Sequence, residues 1–312
     1  MTEPRKNTSA IVNCAVVDLG SNTIRMTLYD VQDHGGFLPL FSEKRMAGLV
    51  NYIRDGVLSR EGIEVACGVL RGFQRMLRQF GDIPMNVFAT ASLRNIKNTD
   101  EVLTAIRERT GLVVEVLSGE LEARYGCLGA MLTCPLEGGA VFDIGGGSTE
   151  IVLLDNGRIT RAESLDIGSL NLYNRYVSEL WPDRGEIEKI AAAARKKLRR
   201  APAPAKPAPN VLAIGGTARA VLKIANQYLD KPEGNRILTM GELDRTTEML
   251  LARKGTARRL ILKSCPDRVH TILPGVILMN TTAHILCKKQ LYISRYGVRE
   301  GYLCQKLTSP MI

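Results

Sequence analysis

The chain of 312 residues carries 42 Lys and Arg against 32 Asp and Glu, which gives a formal net charge of +10, and 45% of its residues are hydrophobic. This length exceeds the usual single domain of about 100–200 residues and predicts two domains, while the apolar content excludes a wholly disordered chain. The positive charge favours a polyanionic partner, without choosing among nucleic acid, a membrane surface and a phosphate-rich small molecule.

Targeting and redox features point to the cytoplasm. The first six residues lack the apolar run of a signal peptide. The longest stretch without Asp, Glu, Lys or Arg, Val269–Cys287, contains Pro274 and several polar residues, so it predicts a buried helix and no membrane span. Seven scattered cysteines without a CxxC pair indicate reduced thiols, and three widely spaced histidines argue against a zinc site.

The first part of the chain predicts strands, followed by strands that alternate with helices. Ser59 is a candidate N-cap for a helix that runs to about Phe80, with Gly81 as its stop signal, and a second helix covers about Asp100–Arg109 before Gly111. The predicted strands are Val12–Asp18, Ile24–Val31, one within Phe37–Ala47, Asn86–Thr90 and Leu112–Leu117. This order is typical of a mixed sheet with helices on its faces.

The same pattern then starts again. Asn156-Gly157 is a strong hairpin turn between the second and third strands of this repeat. The predicted strands are Ala140–Asp143, Glu150–Asp155, Arg158–Ser164, Val211–Ile214 and Leu291–Ser294. The predicted helices lie within Leu170–Leu180, at Arg184–Arg200, from Thr217 onward, over much of the tail from Gly241, and near Val298–Lys306.

A Pro- and Ala-rich segment, Ala201–Pro209, is the low-complexity part of the chain. It predicts a stiff, extended piece. We interpret it as a surface loop inside the second domain, because the strand that follows it needs partners in the sheet. The basic run Arg195–Arg200 before it is best explained as a solvated helix end, where cations are favoured, although it could also grip an anion.

The most specific feature is an internal sequence repeat, in which Val16–Thr23 resembles Val141–Thr149. Each copy is an apolar strand that ends in Asp, followed by a turn of small residues and a second strand. Glycine in such a turn lets successive amides converge on an anion, and Asp at the strand end can hold Mg²⁺. An ordinary strand-turn-strand would explain one copy. Coincidence is a poor explanation of two copies at corresponding positions of the repeated strand pattern. They predict two hairpins, one in each domain, that bind adjacent phosphates across a cleft.

A third glycine turn, Gly215-Gly216-Thr217, lies between a predicted strand and a predicted helix. The amides of a helix N-terminus form a natural anion site. A tight strand-to-helix turn is the purely structural alternative.

Six segments resemble the motifs of the exopolyphosphatase/guanosine pentaphosphatase family, in the family's order and over nearly the whole chain. They are Asp18–Arg25, Thr90–Arg94, Ser118–Arg124, Asp143–Glu150, Ile214–Thr217 and Ser294–Tyr302. The resemblance implies an α/β fold with two ribonuclease-H-like domains of the actin/Hsp70/sugar-kinase superfamily around a central cleft. We expect domains at residues 1–120, completed by a C-terminal helix at about 298–312, and at residues 121–297.

The resemblance also implies Mg²⁺-dependent hydrolysis of terminal phosphoanhydride bonds. Glu122 is similar in position to the family's catalytic glutamate, and we expect it to be the general base. Leu121 stands where the family usually has the first of two adjacent glutamates, with Glu120 one step earlier. An exposed helical carboxylate is the alternative for Glu122.

The remaining site residues follow from the same motifs. Asp143 is expected to anchor Mg²⁺ or another divalent cation, with Glu150 and Asp18 helping through water. Arg94 resembles the family arginine that contacts the phosphate chain. The predicted phosphate-binding residues are Gly20, Ser21, Asn22, Arg25, Gly145, Gly146, Gly147, Ser148, Gly215, Gly216, Thr217 and Arg268. Of these, Arg25 and Arg268 could equally be surface cations.

The expected function is exopolyphosphatase activity, on short chains of inorganic polyphosphate because the chain lacks the further domains of longer family members. The alternative is a guanosine pentaphosphate (pppGpp) 5′-phosphohydrolase of the stringent response, since both activities share these motifs. A kinase of the superfamily would use the same hairpins but need an acceptor, and a non-catalytic polyanion-binding regulator would not need the four intact carboxylates. We expect no specific nucleic-acid partner and no membrane partner, and leave a homodimer open.

Overall fold

The structure is a computed structural model that describes residues 12–32, 36–252 and 255–308. The chain divides into two compact units. Unit 1 comprises the residues through Ser118 together with those from Leu303 onward, and unit 2 is Gly119–Tyr302. The domain bounds expected from the sequence, at residues 120 and 297, stay a prediction.

Unit 1 is built on a five-stranded sheet whose strands follow one another in the order β3-β2-β1-β6-β7. The strands of this sheet are β1 (Val12–Leu19), β2 (Thr23–Val31), β3 (Phe37–Met46), β6 (Met85–Ala89) and β7 (Val114–Val116). Two further strands, β4 (Ile53–Arg54) and β5 (Val57–Leu58), form a separate short hairpin. The helices are α1 (Arg60–Leu77), α2 (Ala91–Arg94), α3 (Thr99–Thr110) and a 3₁₀ turn at Leu49–Tyr52.

The core of unit 1 lies between this sheet and helices α1 and α3. Alternate residues of β1, including Val17 and Leu19, are fully buried there. The Ser59 hydroxyl caps α1 by accepting a hydrogen bond from the Gly62 amide at 3.2 Å, as the sequence predicts. The helix ends at Leu77, before the predicted end at Phe80, because the last residues tighten into i→i+3 turns.

Unit 2 contains a six-stranded sheet in the order β10-β9-β8-β11-β13-β12. Its strands are β8 (Gly139–Ile144), β9 (Thr149–Asp155), β10 (Arg158–Leu165), β11 (Ala208–Ile214), β12 (Ile237–Thr239) and β13 (Cys287–Ile293). Its helices are α4 (Gly119–Met131), α5 (Ser169–Tyr176), α6 (Arg184–Leu198), α7 (Gly215–Tyr228), α8 (Met240–Leu251), α9 (Gly255–Ser264), the 3₁₀ turn Pro266–Arg268, α10 (Ile272–Leu286) and α11 (Val298–Thr308), whose last residues belong to unit 1.

The two sheets share one topology. In each, the first three strands of the unit are antiparallel neighbours, and two later strands extend the sheet in parallel with the first. In unit 2, β12 adds an antiparallel strand at the edge. The α/β fold class predicted from the sequence is therefore confirmed, and its repeat is visible in the strand order.

Both faces of the unit 2 sheet are covered. One face packs against Ala123 and Cys127 of α4, and the other against apolar residues of α6, α7 and α10. The uncharged stretch forms α10, whose side chains Leu273 and Met279 are fully buried. Among the described residues, no helix has the length and apolar character that a membrane crossing requires.

The Pro- and Ala-rich segment ends inside the sheet. Strand β11 begins at Ala208, three residues before the predicted Val211. The pairing of β11 with β13 is irregular between Ala208 and Asn210, around Pro209. A bulge of this kind accommodates proline, which has no amide hydrogen to donate. Strand β13 is also longer than predicted, because it begins at Cys287.

Candidate active site

The two repeated hairpins have the same loop. In each, four residues lie between the last two residues that pair across the hairpin: Gly20–Thr23 between Leu19 and Ile24 in unit 1, and Gly145–Ser148 between Ile144 and Thr149 in unit 2. In each, the amide of the first residue donates to the carbonyl of the last, at 3.1 Å in unit 1 and 2.9 Å in unit 2. The sequence repeat is therefore also a repeat of backbone geometry.

The carbonyl groups of the unit 2 loop accept hydrogen bonds from α5. Those of Gly145 and Gly146 accept hydrogen bonds from the first amides of α5 at 2.9 Å, and that of Gly147 accepts from Asn171 Nδ2 at 2.8 Å. Every peptide bond that the structure describes is trans, so each amide points away from the preceding carbonyl. The amides of residues 146–148 therefore face away from α5, as a row of donors suited to an anion.

The unit 1 loop is fixed in a similar way. The carbonyl of Ser21 accepts from the Val50 amide at 3.0 Å, and that of Asn22 accepts from the Gly48 amide at 2.9 Å. The amides that follow these carbonyls face the opposite side. The predicted phosphate-binding residues of both hairpins thus lie in loops whose amides are presented by the fold itself.

A row of carboxylates crosses the unit 2 sheet beside its loop. Asp143, Glu150 and Ser164 are direct neighbours on β8, β9 and β10, and the Ser164 hydroxyl donates to Glu150 Oε1 at 2.7 Å. Glu150 is only 4% exposed. Burial raises the pKa of the Glu150 carboxyl well above its ordinary value, and the charges of Glu122 and Asp143 raise it further, against hydrogen bonds from Ser164 and Ser148. Glu122, Asp143 and Glu150 thus form one interacting acidic group.

The corresponding row of unit 1 has the opposite character. There Asp18, Arg25 and Lys44 are direct neighbours on β1, β2 and β3. One carboxylate beside two cations makes this row net positive, whereas the unit 2 row is acidic. Lys44 and Ser164 did not emerge from the sequence, since only the strand register reveals them.

Glu122 lies in the first turn of α4 and is buried, with 8% of its surface exposed. Its neighbour Glu120 instead forms an ion pair with Arg124 at 2.9 Å on the outside of the helix. Leu121 is 39% exposed. The departure from the family motif at residue 121 therefore falls on the outer side of α4, and the alternative of an exposed carboxylate at Glu122 is wrong.

Glycines fix α4 against the start of α11. A Cβ on Gly129 would lie 2.0 Å from the carbonyl oxygen of Gly297, and a Cβ on Gly301 would lie 1.9 Å from that of Tyr125. The two helix backbones are thus in direct contact. This contact sets how closely α4, the helix that carries Glu122, packs against α11.

The third glycine turn lies between two charged side chains. Gly215 has φ +82°, and a Cβ there would lie 1.9 Å from Asp143 Oδ1. A Cβ on Gly216 would lie 2.0 Å from Arg268 Nη2. The Thr217 hydroxyl donates to the last carbonyl of β8 at 2.8 Å. The structure therefore brings Arg268, which the sequence left open as a surface cation, to the same turn as Asp143.

Unit 1 contains the counterpart of that turn. The Ser92 hydroxyl donates to the carbonyl of Leu19, the last residue of β1, as Thr217 does in unit 2. Two residues later, Arg94 Nη1 donates to the Leu117 carbonyl at 3.0 Å. Arg94 is thus anchored at the carboxyl end of the unit 1 sheet.

The donor set can be tested against Mg²⁺. Among the described residues, no three His, Cys, Asp or Glu side chains stand together as a metal cage. Mg²⁺ is usually held by one or two carboxylates together with water and substrate phosphates, and the like-charged pair Asp143 and Glu150 fits that pattern. Asp18 lies in unit 1 beside Arg25, so a role in metal binding for Asp18 stays a prediction.

Comparison with known proteins identifies the family. Residues 27–310 match the model of the Ppx/GppA phosphatase family. The chain belongs to the Ppx/GppA phosphatase family. It is therefore a phosphatase of the kind that hydrolyses phosphoanhydride bonds, which confirms the predicted class of enzyme and removes the kinase alternative.

Several Ppx/GppA proteins resemble the chain over almost its whole length. It is 24% identical over 308 residues to Exopolyphosphatase 1 of Mycobacterium tuberculosis (strain ATCC 25618 / H37Rv), covering 94% of this chain and 88% of the relative. It is 26% identical over 302 residues to a putative exopolyphosphatase of Haemophilus influenzae, covering 96% and 92%.

Solved structures give the same result. The crystal structure of the Aquifex aeolicus Ppx/GppA family member matches with a TM-score of 0.78 and 26% identity, over 95% of this chain and 98% of that one. An exopolyphosphatase from Cytophaga hutchinsonii matches with a TM-score of 0.81 at 20% identity, over 95% and 97%, which shows a shared fold.

Proposed function

We propose that the protein is an exopolyphosphatase, which hydrolyses the terminal phosphoanhydride bond of inorganic polyphosphate and releases phosphate. The observation that carries the proposal is the acidic group formed by Asp143 with the buried Glu122 and Glu150, beside the amide row of residues 146–148. The names of the relatives, which are exopolyphosphatases, support the choice of substrate.

Glu122 acts as the general base in this proposal. Its carboxylate accepts a proton from a water molecule as the water oxygen attacks the terminal phosphorus. The bond from that phosphorus to the bridging oxygen breaks, and the shortened chain leaves with the bridging oxygen. The anchoring of α4 by Gly129 and Gly301 keeps the base in one position, which is the main contribution a protein makes to phosphoryl transfer.

The loop amides and the arginines bind the phosphate groups. Within unit 2, the amides of residues 146–148 suit a phosphate group. Within unit 1, the amides that follow the anchored carbonyls of Ser21 and Asn22 are suited to one in the same way. Arg268 beside Gly216 and the anchored Arg94 add planar guanidinium groups that can bind phosphate through two hydrogen bonds.

Asp143 and Glu150 would hold Mg²⁺ in this site. When bound, the ion neutralises charge on the phosphate oxygens as the bridging bond breaks. Its charge would also offset the repulsion among the three carboxylates, which explains why unit 2 tolerates them so close together.

We also propose that the protein works in a reducing compartment such as the cytoplasm. All seven cysteines are free thiols, which suits a compartment where thiols stay reduced. Burial raises the pKa of Cys127 to about 12 and, together with the nearby Asp267, that of Cys265 to about 11. Such thiols are poor nucleophiles, so we assign them to packing.

A phosphate-release assay with Mg²⁺ tests the function. Tripolyphosphate, long-chain polyphosphate, pppGpp and ATP are compared, because pppGpp also ends in a phosphoanhydride bond and is the alternative substrate. We expect polyphosphate to give the highest kcat/KM. Faster turnover of pppGpp would replace the proposed substrate, and no release from any of the four would contradict the hydrolase mechanism.

Two variants of α4 test the base. Glu122→Gln is expected to lower kcat by about 10²–10⁴ while leaving binding largely intact. Glu120→Gln is the matched control, because Glu120 lies two residues away and pairs with Arg124 on the exposed side. Equal kcat values for the wild type and Glu122→Gln would remove Glu122 from its role.

A further inference from the structure

Three arginines outside the acidic group gather at one edge of the unit 2 sheet. Arg219 lies near the start of α7, Arg236 directly precedes β12, and Arg295 follows the end of β13. Arg219 Nη1 donates to the Arg295 carbonyl at 3.5 Å, and the Ile293 amide donates to the Arg236 carbonyl at 2.8 Å. Three separate elements therefore bring their arginines to one place.

This arginine cluster lies at the same edge of the sheet as the candidate site. Strands β11 and β13 are parallel neighbours, and the Ser294 amide donates to the Ala213 carbonyl at 3.0 Å. The chain that carries Arg295 thus passes beside the turn that holds Gly215 and Gly216. Arg219 is four residues after Gly215, about 6 Å along the helix axis. Ligands of α/β sheets bind at this edge, at the carboxyl ends of the parallel strands.

Two of the three charges in the cluster, those of Arg236 and Arg295, are not neutralised within the part of the chain that the structure describes. No carboxylate in the described residues forms an ion pair with Arg236 or Arg295, and Arg236 Nε is buried with no hydrogen-bond partner among those residues. Burial lowers the pKa of Arg236, and the nearby charge of Arg295 lowers it further. Clustered guanidinium groups, one of which has a hydrogen-bond donor without a partner, are suited to bind an anion that has many oxygen atoms.

We propose that Arg219, Arg236 and Arg295 bind the distal phosphates of a linear polyphosphate whose terminal phosphate occupies the candidate active site. This inference rests on the proposed function and adds a preference for chain length. A chain of three phosphates ends at the Gly215-Gly216 turn, whereas a longer chain continues over α7 to the cluster. The protein therefore binds long chains more tightly than short ones, which is the opposite of the short-chain substrate expected from the sequence.

Binding measurements in the Glu122→Gln background test the proposal, so that the ligand survives the experiment. The dissociation constants of tripolyphosphate and of a long polyphosphate are measured by calorimetry with Mg²⁺ at several salt concentrations. In Arg236→Gln/Arg295→Gln, we expect the preference for the long chain to fall by about tenfold, equivalent to about 1.4 kcal/mol. The slope of log Kd against log salt for the long chain is expected to fall by about two, one for each lost phosphate contact.

Further variants separate binding from folding. Arg295→Gln alone changes an exposed side chain and is expected to show part of the effect even if loss of Arg236 disturbs the sheet. Arg236→Lys/Arg295→Lys keeps the charges and is expected to recover most of the preference. Arg184→Gln on α6 is the matched control, since Arg184 is exposed and pairs with Glu188 at 3.6 Å, and it should leave the preference unchanged.

The outcomes are distinguishable from failure of the proposed function. If the wild type hydrolyses tripolyphosphate but the double Gln variant keeps the same chain preference and salt slope, the arginine cluster is not a binding site. If the wild type hydrolyses neither polyphosphate, the proposed function fails first. Equal affinity of the Glu122→Gln protein for the two chains would also overturn the inference.

Discussion

Asp143 and Glu150 are direct neighbours on antiparallel strands, two carboxylates side by side where the matching hairpin of unit 1 pairs Asp18 with Arg25. Like charges in this arrangement destabilise a sheet. Burial, together with the charges of Glu122 and Asp143, therefore disfavours the ionised form of Glu150 in the metal-free protein. In the proposed site, a cation bound by Asp143 and Glu150 would offset this repulsion.

Glu150→Gln is expected to stabilise the metal-free protein at neutral pH. The folded-state pKa of Glu150 is raised above its ordinary value of 4.5, so the folded state binds the proton more tightly than the unfolded state. Stability therefore falls as the pH rises from 4.5 through the raised pKa. The variant removes this loss, and the Ser164 hydroxyl can still donate to the amide oxygen.

The measurement is the melting temperature in a chelator across this pH range. The wild type should lose stability as the pH rises, and Glu150→Gln should lose less. Glu163→Gln serves as the control, because Glu163 is on the same strand as Ser164 but pairs with Arg161 at 3.0 Å in solvent. A variant that melts below the wild type at neutral pH would contradict the assignment of Glu150 as a repelled carboxylate.

Mg²⁺ is expected to raise the melting temperature of the wild type at neutral pH, because a ligand that binds only the folded state stabilises it. The increase should be smaller for Asp143→Asn, which removes one of the two paired carboxylates. Thermal scans over a series of Mg²⁺ concentrations measure it. An equal increase for both proteins would indicate that the ion binds elsewhere.

Gly215→Ala is expected to lower kcat by about 100-fold or more, because a displacement of about 1 Å can cost that much in rate. The new methyl group would fall 1.9 Å from Asp143 Oδ1, at a residue with φ +82°, so either the carboxylate or the turn must move. Steady-state kinetics give the result. Gly241→Ala in α8, where a Cβ meets no atom within 4 Å, should retain wild-type kinetics.

Arg268→Gln is expected to raise KM for polyphosphate by about tenfold, in keeping with a lost charge-assisted hydrogen bond of about 1.5–3 kcal/mol. Its guanidinium lies against Gly216, and Arg268→Lys should restore only part of the affinity because lysine cannot bind through two parallel hydrogen bonds. Arg258→Gln is the control, since Arg258 lies over the Trp181 ring at 5.8 Å. An unchanged KM for Arg268→Gln would show that Arg268 does not bind the substrate and is a surface cation.

Gly129→Ala is expected to destabilise the protein by about 1–3 kcal/mol, as overpacking does. Its methyl group would lie 2.0 Å from the Gly297 carbonyl oxygen, so α4 and α11 must separate and Glu122 must move with α4. We therefore expect a lower melting temperature and a lower kcat. Gly68→Ala in α1, where a Cβ meets no atom within 4 Å, should instead stabilise the protein slightly. Wild-type stability and kcat in Gly129→Ala would show that the helix contact is not needed.

The sequence predicted those features that depend on neighbouring residues. Both hairpins, the Ser59 cap and the buried α10 follow from local patterns of apolar, glycine and capping residues, and the structure has them. The six family motifs also identified the phosphatase family. In each case a few consecutive residues contain the whole signal.

Features that depend on distant residues could not be predicted in this way. Lys44 reaches the row of Asp18 only through the register of two strand pairs. Arg268 reaches Gly216 from 52 residues along the chain, by the path of several helices. Burial of Glu122 depends on which side of α4 meets the sheet, and its weak amphipathic pattern does not determine that side.

The shared hairpin has a consequence for how such a protein can diverge. The two loops keep the same length and closing hydrogen bond while their strand rows carry opposite charges. Exchange of a few side chains of the row on an unchanged backbone is thus enough to turn a row that favours anions into one that favours cations. A duplicated ancestor could specialise its halves by point substitution, without inventing a second scaffold.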